Sequence, residues 1–274
     1  LIAADEMYGY RNKLSFSCRD HILGYHLPGD AERVLPIKHC ALGSEAANRV
    51  LGVFRDHTSL FHRLTIRQAS ADGRILVQVA SDLPADGIRL PDFERSLPPP
   101  EYSLRWNDHL IYGKANLEEK LGGNTFKLSP GSFFQVNQAQ AEELLRVVLE
   151  LANLQADEDV WECYAGVGSF SLSLARFCRC LTGFERSEEA VRLARINAKA
   201  NGIDNVRFSA RDLDVVRTAR LEKDAGYRPK VMIVDPPRTG LGNHLVKIIA
   251  ELQPQRLVYV SCNPATFARD AERL

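Results

Sequence analysis

Residues Val258 to Asp270 read VYVSCNPATFARD, and Val231 to Arg238 read VMIVDPPR. Each is a short apolar run that gives way at once to residues unsuited to a buried strand: Ser-Cys-Asn-Pro in one, Asp-Pro-Pro in the other. Strands apolar on both faces belong to parallel sheets covered by helices on both sides, and such sheets carry their chemistry at the C-terminal strand ends. Cys262 and Asp235 are therefore expected at neighbouring strand ends, facing one crevice. A thiol and a carboxylate so placed suit covalent catalysis on a flat, electron-poor substrate. The alternative for Cys262 is a small buried hydrophobe, the common fate of a free cysteine.

The same texture extends upstream. Apolar runs at about 159–164, 180–185, 205–210, 231–235 and 256–261 alternate with helical segments, which predicts a parallel sheet from about Lys127 to Leu274. This region opens with a helix. Asn137 is a candidate N-cap with Gln140 three residues on, a capping-box spacing. Leu144, Leu145, Val148, Leu149 and Ala152 fall on one apolar face of that helix. Residues 1–126 differ: LSFSC (14–18), HRLTIRQA (62–69) and RILVQVA (74–80) are alternating strands, with turns at ProGlyAsp 28–30 and AlaAspGly 71–73. One helix is predicted there, from about Ser44 to Leu51, and Leu97–Pro100 is a connector. The fold class is thus α/β with a mostly parallel sheet, preceded by a smaller β-rich α+β domain. Residues 1–126 and 127–274 form the two domains.

The first parallel strand runs through Val160 into Tyr164-Ala-Gly-Val-Gly-Ser-Phe170. Gly166 and Gly168 let the backbone turn tightly and approach a ligand. A dinucleotide fingerprint would place a third glycine where Ser171 stands. The second strand ends at Glu185 and the third at Asp212, acids able to accept hydrogen bonds from ribose hydroxyls. Loop and acids together favour an adenosine-bearing cofactor, and the incomplete fingerprint argues against NAD. S-adenosylmethionine has the ribose and adenine without the pyrophosphate.

Composition excludes little. Lysine plus arginine equal aspartate plus glutamate at 35 each, so net charge offers no support for a polyanionic partner. No apolar stretch approaches the roughly 18 residues a membrane helix needs. Cys18, Cys40, Cys163, Cys178, Cys180 and Cys262 show no CxxC spacing. With no secretory signal in view, the thiols read as reduced and the location as cytoplasmic. The opening residue, Leu1, reads as that of a fragment.

Five segments in order, YRNKLSF (10–16), SPGSFFQVNQAQAEELL (129–145), WECYAGVGSFSLSLA (161–175), VDPPRTGL (234–241) and YVSCNPATFARD (259–270), carry a specific resemblance. The chain resembles the S-adenosylmethionine-dependent RNA uracil-5 methyltransferases, which act on ribosomal or transfer RNA. The resemblance implies a Rossmann-like methyltransferase domain, with Cys262 as the nucleophile that adds to uracil C6. It implies a cofactor site of Gln135, Tyr164, Gly166, Gly168, Ser169, Glu185, Asp212 and Asp235, with Asp235 touching cofactor or base. Taken as a helix-entry hydrogen bond, Gln135 has a purely structural reading as well. Addition of the thiolate turns C5 into an enolate carbon able to attack a sulfonium methyl. The thiolate is the reacting form, which suits a helix N-terminus such as NPATFARD supplies. Arg238 is read either as a phosphate contact or as a structural salt bridge, and Arg11 and Lys13 of YRNK as RNA contacts. The FFQVN-type segment favours 23S ribosomal RNA over transfer RNA, and a monomer without a membrane partner is expected.

The resemblance also implies a glutamate base downstream of the cysteine. The chain ends at Leu274, and Glu272 stands too near Cys262 for that role. The base and the last strands are therefore expected outside these residues, and a trapped RNA adduct or a non-catalytic binding fragment is the expectation for this chain. Many relatives hold a [4Fe–4S] cluster on four cysteines. Cys40, in LPIKHCALGSEA, matches the last ligand, and its three partners would precede Leu1. Cytosine-5 methylation would place a second cysteine after the first proline of the DPP-like motif, where Pro237 stands. Amino-group methylation would place an aromatic residue at Arg238. Most histidines lie in the first 126 residues without ligand spacing. Tyr10, Phe16 and Trp106 are read as core residues before base-stacking ones.

Overall fold

The structure is a computed structural model, and it describes residues 2–85 and 91–274; Leu1, on which the fragment reading rests, lies outside them. Contacts divide the chain into two compact units. One comprises Leu1–Lys120, Lys127–Gly131 and Gln135–Ala141, and the other Leu121–Phe126, Ser132–Phe134 and Glu142–Leu274. The division is interleaved over residues 121–141.

The first unit is built on a seven-stranded sheet. Its strands are β1 (Lys13–Arg19), β2 (Ile22–Leu27), β3 (Asp30–Pro36), β4 (Arg63–Gln68), β5 (Ile75–Ala80), β6 (Tyr102–Trp106) and β7 (His109–Tyr112), ordered β3-β2-β1-β4-β5-β6-β7. Pairing is antiparallel except between β5 and β6, which a crossover through helix α2 (Pro91–Ser96) connects. Strand alternation sorts the faces: Leu14, Phe16 and Cys18 of β1 are buried, whereas Lys13, Ser15 and Ser17 face outward. Helix α1 (Glu45–Arg55) covers the apolar side with Val50, Leu51 and Phe54, all fully buried. Ser44 caps it by accepting from Ala47 N at 3.2 Å. The helix runs past the predicted end at Leu51 because Phe54 prolongs its apolar face.

Phe16 and Trp106 are core residues, as expected. A hairpin of β8 (Leu117–Leu121) and β9 (Asn124–Leu128) leads to helix α3 (Gln138–Ala152). Asn137 Oδ1 accepts from Gln140 N at 3.1 Å, the predicted cap. The reciprocal half of the capping box is replaced: Gln140 Nε2 donates to Ala3 O at 3.4 Å.

The second unit holds a five-stranded parallel sheet of β10 (Asp159–Cys163), β11 (Cys180–Glu185), β12 (Val206–Ala210), β13 (Val231–Val234) and β14 (Arg256–Tyr259). Their order is β12-β11-β10-β13-β14. Helices α4 (Ser171–Leu174), α5 (Glu188–Ala200), α6 (Thr218–Ala225), α7 (Asn243–Leu252) and α8 (Pro264–Arg273) alternate with them. Every residue of β10 and β13 is buried, which explains why β13 is wholly apolar and β10 is apolar apart from Asp159 and Glu162. The chain winds outward from β10 through β11 to β12, then returns to β13 on the other side of β10. Strand order therefore reverses between β10 and β13, and the crevice above that switch point is where open α/β sheets bind ligands.

Candidate active site

The loop after β10 lies at the switch point. Tyr164 has φ +66°, and Gly166 and Gly168 have φ +56° and +87°, so the chain makes three left-handed turns within five residues. A Cβ at Gly166 would meet open space; the glycine is there for its backbone, whose N–H donates to Glu185 Oε2 at 3.0 Å. Ser187 N donates to Glu185 Oε1 at 2.8 Å. Both oxygens of Glu185 are thus fixed by main chain, and each retains a lone pair for a ligand hydroxyl. Ser169 is half-buried in the turn before α4.

Glu162, which the sequence reading passed over, lies beneath this loop. It is 1% exposed and accepts from the Ser171 hydroxyl. Burial raises its pKa to about 8 against the opposing Ser171 hydrogen bond, and the Asp235 and Glu185 charges add smaller upward contributions. Three carboxyl groups, Glu162, Glu185 and Asp235, are therefore within electrostatic reach of one another around the glycine loop. An acid inside an otherwise apolar strand, VWEC, was the available signal. Asp235 follows β13 directly, half-buried, and burial pushes its carboxyl up to about 6. Burial likewise raises the Tyr164 phenol, with neighbouring Cys163 and Asp214 contributing.

Asp212 is not a strand end. Strand β12 stops at Ala210, and Arg211 N closes onto Glu185 O at 2.8 Å. Asp212 instead nucleates a turn, accepting from Asp214 N at 3.0 Å, with Arg186 at 3.9 Å. Gln135 belongs to the first unit, where its backbone carbonyl accepts from Asn12 Nδ2 at 3.2 Å. It is not among the groups the second unit assembles by itself.

Cys262 is exposed, three residues past β14, and immediately precedes Asn263, the N-cap of α8. The buried-hydrophobe reading of this cysteine is thereby set aside. Val260 N donates to Val234 O at 2.8 Å, so the sheet ladder runs up to the residue before Asp235. Asn263 Nδ2 and Thr266 Oγ1 both donate to Arg238 O, at 3.2 and 3.3 Å. The segments DPPR and SCNP are thus hydrogen-bonded side by side. The Arg238 side chain is exposed and forms no salt bridge among the described residues.

On the outward face of the first unit's sheet, a groove of about 450 Å³ is lined by Lys13, Ser15, Ser17, His26, Arg63 and Thr65. Burial, then the Arg67 charge, lowers the Lys13 pKa. Cys40 is buried, its Sγ 3.4 Å from Tyr25 OH and its backbone tied to Asn48 of α1 at 2.7 Å. Among the described residues no group of three or more His, Cys, Asp or Glu could hold a metal ion. A single thiol does not fit a four-thiolate cluster, so no step below passes through one. No helix among the described residues is long and apolar enough to cross a membrane.

A parallel sheet with a glycine-bearing loop and acids at its switch point, preceded by a β-rich unit, defines the chain as a Rossmann-like methyltransferase fold. The model of the family described as tRNA (Uracil-5-)-methyltransferase matches residues 107–274, and the chain belongs to that family. It is 29% identical to an uncharacterized RNA methyltransferase of Chlorobaculum tepidum, over all of this chain and 67% of that protein. It is 32% identical to an uncharacterized RNA methyltransferase of Bacteroides thetaiotaomicron, over 97% of this chain and 69% of the relative. Among solved structures, the tRNA (uracil-54, C5)-methyltransferase of Pyrococcus abyssi, in complex with S-adenosyl-L-homocysteine, superposes with a TM-score of 0.78. Identity there is 25%, covering 98% of this chain and 70% of the other.

Proposed function

We propose that the chain is an RNA uracil-5 methyltransferase that uses S-adenosylmethionine and the Cys262 nucleophile. The observation that carries this reading is the pairing of an exposed cysteine at the β14 end with an acid-ringed glycine loop at the β10–β13 switch point. A loop flanked by the Glu185 and Asp235 carboxylates suits a cationic sulfonium and would repel a pyrophosphate. That favours S-adenosylmethionine over NAD on electrostatic grounds independent of the glycine count. Within the second unit Tyr164, Gly166, Gly168, Ser169, Glu185 and Asp235 would hold it; Gln135, which the resemblance adds to the set, belongs to the first unit. Asp212, bent into its own turn, is the weakest member of the set.

When bound, S-adenosylmethionine supplies an electrophilic methyl group. The Cys262 thiolate adds to uracil C6, and the C5–C6 electron pair moves toward C4–O as an enolate. C5 then takes the methyl while its bond to sulfur breaks, leaving S-adenosylhomocysteine. Loss of the C5 proton to a base, the role the resemblance gives to a downstream glutamate, expels the thiolate and frees the product. Stacking hides C6 in a duplex, so the target uridine must be single-stranded or flipped out. Exposure of Cys262 agrees with that need.

Ribosomal RNA is the first substrate reading, supported by the FFQVN segment. Transfer RNA is the second, supported by the family description and by similarity to the Pyrococcus abyssi enzyme. Lys13 and Arg63 of the sheet groove, with Arg238, are the proposed phosphate contacts. Methyl transfer from labelled cofactor to 23S ribosomal RNA and to transfer RNA transcripts, offered together, tests the reading. Label at C5 of uridine in either RNA supports it, and the RNA labelled identifies the substrate. Label on neither RNA, or on cytosine, contradicts it.

A further inference from the structure

We infer that Asp270, acting with Arg269, is the positioning residue that sets Cys262 against the Asp235 loop. This inference rests on the role proposed above for Cys262. Asp270 is fully buried, the only buried residue of α8. A surface helix ordinarily anchors itself by an apolar stripe; here the anchor is a carboxylate.

That carboxylate gathers donors from three segments. Leu241 N, in the loop that follows Asp235-Pro-Pro, donates to Oδ2 at 2.7 Å. Tyr259 OH, from the last residue of β14, donates to the same oxygen at 2.8 Å. Arg269 Nη2 and Arg273 Nη1, from α8 itself, donate to Oδ1 at 2.7 and 3.2 Å. Arg269 Nη2 also donates to Thr239 O at 2.8 Å, a second tie to the same loop. Burial by itself would raise the Asp270 pKa; the hydrogen bonds from Leu241, Arg269 and Tyr259 outweigh it and hold the group ionised.

Cys262 lies between Tyr259 and Asp270 in sequence, so the Tyr259–Asp270 bond closes the segment that carries the thiol. The Leu241 and Thr239 bonds then fix that closed segment to the loop that carries Asp235. Gly240 shows how tight the joint is. It has φ +78°, and a Cβ there would lie 2.3 Å from Asp270 Oδ2 and 2.6 Å from Arg269 Nη2. None of these hydrogen bonds is made to Gly166, Gly168 or Glu185. The latch therefore acts first on where the thiol stands relative to the Asp235 loop.

The test compares wild type, Asp270→Asn, Gly240→Ala and a stability-matched core variant, Ile249→Ala on α7. Cofactor affinity, single-turnover methyl transfer at saturating cofactor, and Cys262 alkylation by iodoacetamide are measured below each variant's melting temperature. Misplacement of a reacting group by about 1 Å costs on the order of a hundredfold in rate. At saturating cofactor, Asp270→Asn and Gly240→Ala should slow methyl transfer by about that factor, while Ile249→Ala stays near wild type. If Ile249→Ala slows transfer as much as Asp270→Asn does, or Asp270→Asn transfers at the wild-type rate, the inference is overturned. If wild type itself transfers no methyl, the uracil-5 reading fails separately. Alkylation then decides: a rate changed severalfold in Asp270→Asn and Gly240→Ala but not in Ile249→Ala keeps the latch, and any other pattern dismisses it.

Discussion

The backbone N–H of Gly166 donates to Glu185 Oε2 at 3.0 Å, joining the ends of β10 and β11 across the glycine loop. This bond orients one carboxylate toward the space that the positive-φ turn leaves open. Glu185→Gln keeps the size and loses the charge, and a hydrogen bond to a charged group contributes about 1.5–3 kcal/mol. S-adenosylmethionine binding should weaken by roughly tenfold or more on that scale. Gly166→Ala should do the same by another route, since a left-handed conformation costs a non-glycine residue about 1–2 kcal/mol. Isothermal titration of both variants checks the pair; wild-type affinity in both would remove the loop from the cofactor site.

Asp235 and Glu162 predict how stability depends on pH. Both folded-state pKa values are raised, to about 6 and about 8, from 3.8 and 4.5. The unfolded chain ionises these groups first and binds fewer protons in the window between. Stability therefore falls as pH rises from about 4 to 6 for Asp235, and from about 4.5 to 8 for Glu162. Asp235→Asn should be more stable than wild type above pH 6 and indistinguishable from it near pH 4, while Glu162→Gln should flatten the fall up to pH 8. Urea midpoints across that range show it, and a wild-type curve that rises from pH 5 to 8 without change in the variants would contradict the assignment.

The first unit offers a separate test. Arg67 Nε lies 3.4 Å from Glu119 Oε1, both side chains at 2% exposure or less, and Glu119 Oε2 accepts from Ser70 N at 3.0 Å. Removing one member of a buried pair leaves an uncompensated charge and costs about 3–5 kcal/mol. Glu119→Leu should lose stability on that scale, and adding Arg67→Met should restore most of it. Denaturant titration reads both, and a Glu119→Leu chain as stable as wild type would show the pair to be energetically idle.

The parallel sheet was legible because its central strands are covered on both faces: β13 is wholly apolar and buried, and β10 and β11 are largely so. The same holds for Asn137, whose side chain must cap the helix it precedes. What escaped was decided by tertiary partners. Gln140 turned to Ala3 O, which no local spacing foretells. Asp212 stood beyond the strand because Arg211 had already closed onto Glu185. Asp270 reads as an ordinary surface charge of an amphipathic helix; only the fold brings Leu241 and Tyr259 to it. Cys262 and Asp235 were found because strand ends are visible in sequence. Their mutual support was not, because it passes through backbone atoms of Arg238, Thr239 and Leu241.

The central claim is that Cys262 forms a bond to uracil C6. The protein is incubated with S-adenosylmethionine and 23S ribosomal or transfer RNA, beside Cys262→Ala, and denatured before mass spectrometry. The account predicts a denaturation-resistant adduct linking Cys262 to a 5-methylated pyrimidine, and its complete absence in Cys262→Ala, with methyl transfer reduced by about a thousandfold or more, the scale of a lost nucleophile. Methyl transfer that persists in Cys262→Ala at the wild-type rate would contradict it.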